Sequence, residues 1–357
     1  MDFALSEQQQ ILQAAVAGAL AAGFPRERLH ALIDKGPDAS ASTDFDRLEL
    51  WGLPIDPEHG GAGLEMIDAA LVAECIGYAA ANVPIVNHWL AALAVSEAAD
   101  QRVKSQWLPQ LATGRIIGTV ALAEGEGRWL PDDWTVRGED GLLVGEKWFV
   151  GDVAAGSLIV VGLAGGQLGL VAPGAPGIER VALDGIDRTR PFVRLRFSNT
   201  PFVPLGCPPT TAARLVDAAL VLTAADAFGG ARRLLDMTTA YLGQREQFGT
   251  RLVQFQAIKH QLANIALEVE PCRALYWYAA HAFDHRRDES AASASLAKAH
   301  ICDRYLQASR DCIELHGGIG FTWDYDAHIW LKRAMFDAAI YGSAKRHRER
   351  YASLVGW

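Results

Sequence analysis

The 357-residue sequence predicts an α+β protein with a helical N-terminal domain, a middle antiparallel β domain and a C-terminal four-helix bundle. Residues 6–114 are rich in Ala, Leu and Glu with few Gly and Pro breaks. Between residues 116 and 209, short runs of Val, Leu, Ile and Phe are separated by Gly, Asp and Pro clusters. Helical spacing of apolar residues returns from 212 to 357. We therefore predict domain boundaries at 1–115, 116–208 and 209–357.

The N-terminal domain is predicted to hold helices on either side of a loop. Residues 67–80 and 83–98 carry apolar side chains at helical spacing, and Pro84 is acceptable where a helix starts. The loop is predicted at 54–63, a segment rich in Gly and Pro. In the middle domain, β-branched and aromatic runs predict strands at 142–144, 147–150, 157–163, 168–172 and 193–197.

The C-terminal domain is predicted from one apolar stripe that must be buried. Its members recur at steps of three and four and predict one helix over 258–276: Ile258, Leu262, Ile265, Val269, Cys272 and Tyr276. Comparable segments at 212–242, 289–316 and 326–354 would supply three further helices. Four helices of this kind can cover one another's stripes as an antiparallel bundle.

The charge and the cysteines exclude several classes of partner. With 33 Lys and Arg against 42 Asp and Glu, the net charge of -9 disfavours nucleic acid and anionic membrane surfaces. A few local cations can still bind an anionic small ligand. The five cysteines form no CxxC pair, so no metal or redox site is predicted and a reducing cytoplasm fits best. The sequence also shows no basic, apolar leader and no run long enough to span a bilayer.

Two C-terminal segments suit a dinucleotide. Arg offers a planar fork of donors to a pyrophosphate, Phe offers adenine a flat surface, and paired glycines let the backbone approach phosphates. The first segment is Arg-Glu-Gln-Phe-Gly at 245–249 followed by Phe-Gln at 255–256, and the second is Glu-Leu-His-Gly-Gly-Ile-Gly-Phe at 314–321. Both resemble signatures of the acyl-CoA dehydrogenase family, and segments 57–63, 121–124 and 144–150 resemble further family motifs. By this resemblance, the FAD-binding residues would be Arg245, Phe248, Gln256, Glu314, Gly317 and Gly318.

The resemblance implies a reaction for which this sequence lacks a base. The family desaturates acyl-CoA thioesters: a carboxylate removes the Cα proton, a hydride leaves Cβ for the flavin, and an electron-transfer flavoprotein receives the electrons. The base is usually the Glu of Tyr-Glu-Gly-Thr before the last helix, where this chain has Tyr341-Gly342-Ser343. Either Gly342 replaces that Glu, or the Glu is deleted. A minority of members place the base near positions 218–219, so Asp217 is the nearest candidate, although we expect it to be a solvated helix residue.

Other positions near the expected flavin ring also depart from the family. Ala123 and Val150 stand where the family usually has Thr residues that contact the ring. Trp148 is either a core residue or a neighbour of the flavin. His316 is expected to pack at a helix end rather than to bind a metal or act as a base, since no second ligand follows at suitable spacing.

These departures predict a helper role. In the family, FAD lies across a subunit interface, so a chain can lose its own ring site and still complete its partner's site. We predict the non-catalytic subunit of an α2β2 acyl-CoA dehydrogenase, in steroid or fatty-acid catabolism. The alternatives are a self-sufficient homo-oligomeric dehydrogenase with an unusual base, and a flavin-free acyl-CoA-binding or scaffold protein.

Overall fold

The computed structural model describes residues 4–36, 48–151, 153–154 and 156–357. The backbone contacts divide the chain into two compact units. The helical unit comprises Met1–Leu29, Ala70–Ala81 and Leu220–Trp357, and the mixed unit comprises His30–Ala69 and Asn82–Ala219. Among the described helices, none combines the length and the apolar character needed to cross a membrane.

The N-terminal helices lie where the sequence predicts them. They are α1 (Glu7–Gly23), α2 (Arg26–Lys35), α3 (Met66–Ala79), α4 (Ile85–Ser96) and α5 (Gln101–Ala112). Helix α1 starts at a capping box, in which Ser6 and Gln9 each accept a hydrogen bond from the other's backbone N–H. Pro84 is the N-cap of α4, which confirms it as a helix start.

The middle of the chain forms two four-stranded sheets in the mixed unit. The strands are β1 (Gly118–Ala121), β2 (Arg137–Glu139), β3 (Leu142–Gly151), β4 (Leu158–Leu163), β5 (Gln167–Val171), β6 (Ile178–Leu183), β7 (Phe192–Pro201) and β8 (Val203–Pro204). Their orders are β1-β4-β5-β8 and β2-β3-β7-β6. All these pairs are antiparallel except β1–β4, which is parallel.

One middle strand differs from its prediction. The segments predicted at 142–144 and 147–150 belong to a single strand, β3, whose register against β7 shifts between Lys147 and Val150. Phe149 lies within this bulge with φ +52°. The gap between the two predicted strands is Gly145-Glu146, which pairs with Phe197 and Arg196 inside β3. Glycine weakens a strand pattern without ending the strand, so the sequence looked like two short strands.

The C-terminal half is helical as predicted, but two of its boundaries are corrected. Its described helices are α6 (Thr211–Gln244), α7 (Gln256–Val269), α8 (Cys272–His285), α9 (Arg287–His316), α10 (Ala327–Ala339) and α11 (Ala344–Val355). The predicted helix over 258–276 is broken at Pro271, because proline lacks an N–H and clashes with the preceding turn. The segment 326–354 is likewise two helices, separated by a loop at 340–343.

Helices α3 and α6 approach closely inside the helical unit. A Cβ on Gly77 would lie 1.9 Å from the Asp226 carbonyl oxygen, and one on Gly229 would lie 1.9 Å from that of Glu74. Arg333 of α10 then reaches the Asp226 carboxylate through two hydrogen bonds of 2.9 and 2.5 Å. Both side chains are buried, so this ion pair ties α10 to α6 in the unit's interior.

Candidate functional site

A tight hairpin follows α6 and presents Phe248. Strands β9 (Glu246–Gln247) and β10 (Thr250–Arg251) pair antiparallel, and the turn residues Phe248 and Gly249 have φ of +55° and +78°. Two positive φ values are typical of a type I′ turn, which favours Asn or Gly at the position that Phe248 takes. The Phe248 ring is 92% exposed and stands edge-to-face with the Phe255 ring, with 6.2 Å between the centroids. A strained, exposed aromatic residue is typical of a contact surface for a ligand or another chain.

Arg245 and Gln256 flank this hairpin and leave their side chains available. The Arg245 backbone is fixed, since its N–H donates to Tyr241 O and its carbonyl accepts from Leu252 N, both at 2.9 Å. Among the described residues, neither exposed side chain makes a hydrogen bond or ion pair within the chain. Gln256 is the first residue of α7, whose N-terminus has no side-chain cap. Uncapped N–H groups at a helix start favour an anion.

The glycine segment, Gly317–Gly318, directly follows α9. Gly317 has φ +65° and ψ -148°, a region essentially restricted to glycine. A Cβ on Gly318 would meet no atom within 4 Å. Packing within the described chain therefore gives no reason for glycine at 318, whereas close approach of an external group would give one.

His316, which directly precedes the glycine segment, packs against Tyr241 near the end of α6, where the hairpin begins. Its ring centroid lies 4.7 Å from that of Tyr241 and 4.6 Å from that of Tyr325, and Nδ1 lies 2.7 Å from Cys312 O. Burial lowers the pKa of His316, so the ring is neutral at pH 7. The prediction that His316 packs at a helix end is confirmed. The contact with Tyr241 brings the ends of α6 and α9 together, with the hairpin and the glycine segment beside them.

Glu314 lies on the exposed side of α9. It lines a groove of about 260 Å³ between α7 and α9 together with polar side chains: Gln261, Asn264, Arg304, Gln307 and Asp311. Within that groove Arg304 is paired with Glu268 at 2.9 Å. A contact between Glu314 and a cofactor therefore stays a prediction.

The 340–343 loop, where the family usually carries its base, holds no carboxylate. Tyr341 has φ +59° and Gly342 has φ +111°. Lys298 Nζ donates to Asp337 O at 2.7 Å and to Gly342 O at 3.3 Å, and His347 Nε2 lies 3.0 Å from Tyr341 O. A Cβ at 342 would lie 3.2 Å from His347 Nε2, and His347 is fully buried. This loop conformation therefore suits neither Glu nor any other side chain at 342.

Asp217, the other candidate base, is 3% exposed. The prediction that it is solvated is wrong. Its neighbours Val216 and Ala218 are also buried, so this stretch of α6 in the mixed unit is covered on every side. A helix that is apolar all round shows no polar face from which a solvated position can be identified.

The positions expected to contact a flavin ring belong to the interior of the mixed unit. Val150 is 1% exposed and packs in a core with Leu143 and Ile159, and Ala123 is 4% exposed. Neither side chain can donate a hydrogen bond. Trp148 is half-buried, with the Arg194 guanidinium 4.8 Å from its ring centroid. The backbone N–H of Trp148 donates to Ala123 O at 2.9 Å, which joins segments 121–124 and 144–150.

A buried ion pair in the same motifs was not predicted. Lys147 is fully buried, and its Nζ lies 2.7 Å from Glu124 Oε1. Burial lowers the pKa of Lys147 to about 8. For Glu124, burial alone would raise the pKa, but hydrogen bonds from Lys147, Thr135 and Val136 outweigh it and lower the pKa. Glu124 lies in segment 121–124 and Lys147 in segment 144–150. The opposite charges in these two segments are the feature of the sequence that could have indicated the pair.

Comparison with known proteins decides the family. The model of the acyl-CoA dehydrogenase N-terminal domain matches residues 6–115, and that of the C-terminal domain matches 213–355. The chain is also 33% identical over 352 residues to acyl-CoA dehydrogenase IpdE2 of Mycobacterium tuberculosis, covering 98% of both chains. This chain is an acyl-CoA dehydrogenase family member. The predicted resemblance is therefore confirmed. Members of this family are flavoprotein oxidoreductases that act on CH–CH bonds.

Solved structures of acyl-CoA dehydrogenases confirm the fold. A chain of the Tcur3481-Tcur3483 steroid ACAD G363A variant is 29% identical with a TM-score of 0.88, and the match covers 98% of both chains. Butyryl-CoA dehydrogenase from Megasphaera elsdenii is 20% identical with a TM-score of 0.88 over 100% of both chains. The α+β fold with helices at both ends is thus that of the family. Among the described residues, no group of three His, Cys, Asp or Glu side chains is placed to hold a metal.

Proposed function

We propose that this chain is the non-catalytic subunit of an FAD-dependent acyl-CoA dehydrogenase and completes the FAD site of a homologous catalytic chain in an α2β2 assembly. One observation carries the proposal. The 340–343 loop lacks a carboxylate, and the φ of +111° at Gly342 and the nearby buried His347 disfavour any side chain at that position. Removal of a Cα proton needs a positioned base, which typically accelerates the step about a hundred- to ten-thousand-fold.

The adenine end of FAD fits the residues present. Arg245 would pair with the pyrophosphate, Phe248 would cover the adenine, and Gln256 would donate from the start of α7. The open backbone of Gly317 and Gly318 would admit the phosphates without obstruction. The exposure of the Phe248 ring supports a role outside this chain's own fold.

The ring end fits less well. Val150 and Ala123 have apolar, buried side chains, so they offer no hydroxyl to a flavin ring. When bound, FAD would supply the acceptor for the hydride that leaves Cβ of the acyl-CoA. In this proposal the catalytic chain provides the base and most of the ring contacts. An electron-transfer flavoprotein would then receive the electrons.

A steroid-derived acyl-CoA is the substrate class that we propose for the assembly. The support is the 29% identity to a chain of the Tcur3481-Tcur3483 steroid ACAD. The ChsE4-ChsE5 complex of Mycobacterium tuberculosis contains a chain of the same fold, with a TM-score of 0.87 and 24% identity. That likeness shows the fold alone.

A second candidate function is a self-sufficient homo-oligomeric dehydrogenase that uses Asp217 as its base. The burial of Asp217 favours it, because a carboxylate removed from water is a common environment for a general base. Asp217→Asn should then abolish turnover while flavin stays bound. Unchanged turnover would remove Asp217 from the reaction.

The test is to purify this chain alone and together with a homologous acyl-CoA dehydrogenase chain, then measure flavin absorbance, native mass and desaturation of acyl-CoA. We expect a colourless, inactive single chain and a yellow, active complex of both chains. A single chain that is yellow and desaturates acyl-CoA would refute the helper role. A complex that releases no FAD on denaturation would instead favour a flavin-free scaffold.

A further inference from the structure

The helical unit contains a cavity whose lining includes no residue of the hairpin or the glycine segment. Its volume is about 760 Å³, and it lies between α1, α3, α6 and α10. It is open to solvent on the α1 side, where Ala14, Ala17 and Ala21 are exposed, and its volume suits a small organic molecule. All of its lining residues belong to the helical unit.

Most of the cavity wall is apolar because α1 presents small side chains to it. Ala14, Ala17 and Ala21 recur at helical spacing and face the cavity. Phe24 and Trp330 add aromatic walls. Larger residues on this face of α1 would fill the space, so the sequence of α1 keeps the cavity open.

Arg233 is the lining cation without a carboxylate partner in the described chain. Its guanidinium lies 5.3 Å from the Tyr78 ring centroid and 5.6 Å from that of Trp330, and it forms no hydrogen bond or ion pair with the described residues. The other lining arginine, Arg26, is bound to Asp326 at 2.7 Å. Flat aromatic neighbours hold the Arg233 guanidinium while its N–H donors stay available.

The acidic lining residues have partners of their own. Glu74 accepts hydrogen bonds from Gln13 Nε2 at 3.2 Å and from the Tyr276 hydroxyl. Burial raises the pKa of Glu74. Asp326 is held by Arg26. The available donors of Arg233 therefore favour an anionic group on a molecule whose remainder is apolar.

We propose that this cavity binds a free carboxylic acid with an apolar body, such as a long-chain fatty acid. The carboxylate pairs with Arg233 and the body lies along Ala14, Ala17 and Ala21. A CoA thioester is disfavoured, because its several phosphates would meet only one available guanidinium. This site is separate from the proposed flavin site and does not depend on it.

Titration calorimetry of the full chain with dodecanoate, dodecanol and dodecanoyl-CoA tests the site. We expect 1:1 binding of dodecanoate and much weaker binding of the other two. Arg233→Met should weaken dodecanoate binding by about tenfold or more, the loss typical of one charge-assisted contact. The matched control is Arg232→Met, since the neighbouring Arg232 pairs with Glu270 and does not line the cavity.

A second pair of variants tests the walls without touching a charge. Ala17→Trp should abolish binding by filling the cavity, whereas Ala15→Trp, on the opposite face of α1 and outside the cavity lining, should leave it unchanged. An unfolding midpoint for each variant shows whether the fold is kept. Dodecanoate that fails to bind the native chain, or binds Arg233→Met and Ala17→Trp as tightly, would overturn the proposal.

Discussion

Substitution of Gly342 by Glu puts the usual family side chain back into the loop, and we expect it to destabilise the chain without creating a base. A side chain at φ +111° costs about 1–3 kcal/mol in backbone strain alone. The new Cβ would also lie 3.2 Å from His347 Nε2, and that ring is buried. The ring is further held at 3.0 Å from Tyr341 O, so it has little room to move.

The assay is urea unfolding of Gly342→Glu, Gly342→Ala and the native chain, with desaturation of acyl-CoA measured on each. Both variants should lose about 1–3 kcal/mol of unfolding free energy, because the strain comes from the Cβ. Gly318→Ala is the control: its site is open and has no positive φ, so we expect a change within about 0.5 kcal/mol. A Gly342→Glu chain as stable as the native chain, or one that gains activity, would refute the reasoning.

Two further perturbations test the interior of the helical unit. Arg333→Met should cost about 3–5 kcal/mol of unfolding free energy, because the buried Asp226 carboxylate loses its guanidinium partner. Adding Asp226→Leu to the Arg333→Met chain should restore part of that loss. A change below about 1 kcal/mol for Arg333→Met would contradict this expectation. Burial lowers the pKa of His347 from 6.5 to about 3. The contribution of the neutral ring to stability is therefore complete above pH 6.5 and is lost as the pH falls toward 3. The unfolding free energy should fall by about 1.4 kcal/mol per pH unit in that window. His347→Gln keeps a donor to Tyr341 O and should flatten the fall in unfolding free energy between pH 6.5 and 4; an unchanged slope would contradict the assignment.

Periodicity predicted most of the fold, and it failed where one residue interrupts a pattern. The stripe from Ile258 to Tyr276 continues across Pro271, because side chains keep their spacing across a short break while the backbone does not. Gly145 divided the prediction of β3 for a related reason, since a glycine interrupts the apolar pattern while the strand continues through it. Side-chain periodicity reports burial and not backbone continuity.

The proposed flavin contacts were inferred from residue type, and they stay predictions. Phe248 and Gly318 have environments that packing within the described chain does not explain, as expected of residues that serve an external ligand. The burial of Asp217 and the Glu124–Lys147 pair could not be read from sequence, because both depend on elements brought together only by tertiary packing. The strain at Gly342 likewise appears only in the backbone angles.

The most direct test of the helper role is the affinity of FAD for the two-chain complex when only this chain carries Arg245→Met. The exposed Arg245 side chain forms no hydrogen bond or ion pair with the described residues, so the unfolding midpoint should not change. Loss of a bidentate contact to pyrophosphate should weaken FAD binding by about tenfold or more, and Arg251→Met, on the same hairpin, should not. An unchanged FAD dissociation constant in the Arg245→Met complex would contradict the claim that this chain holds part of a flavin belonging to its partner.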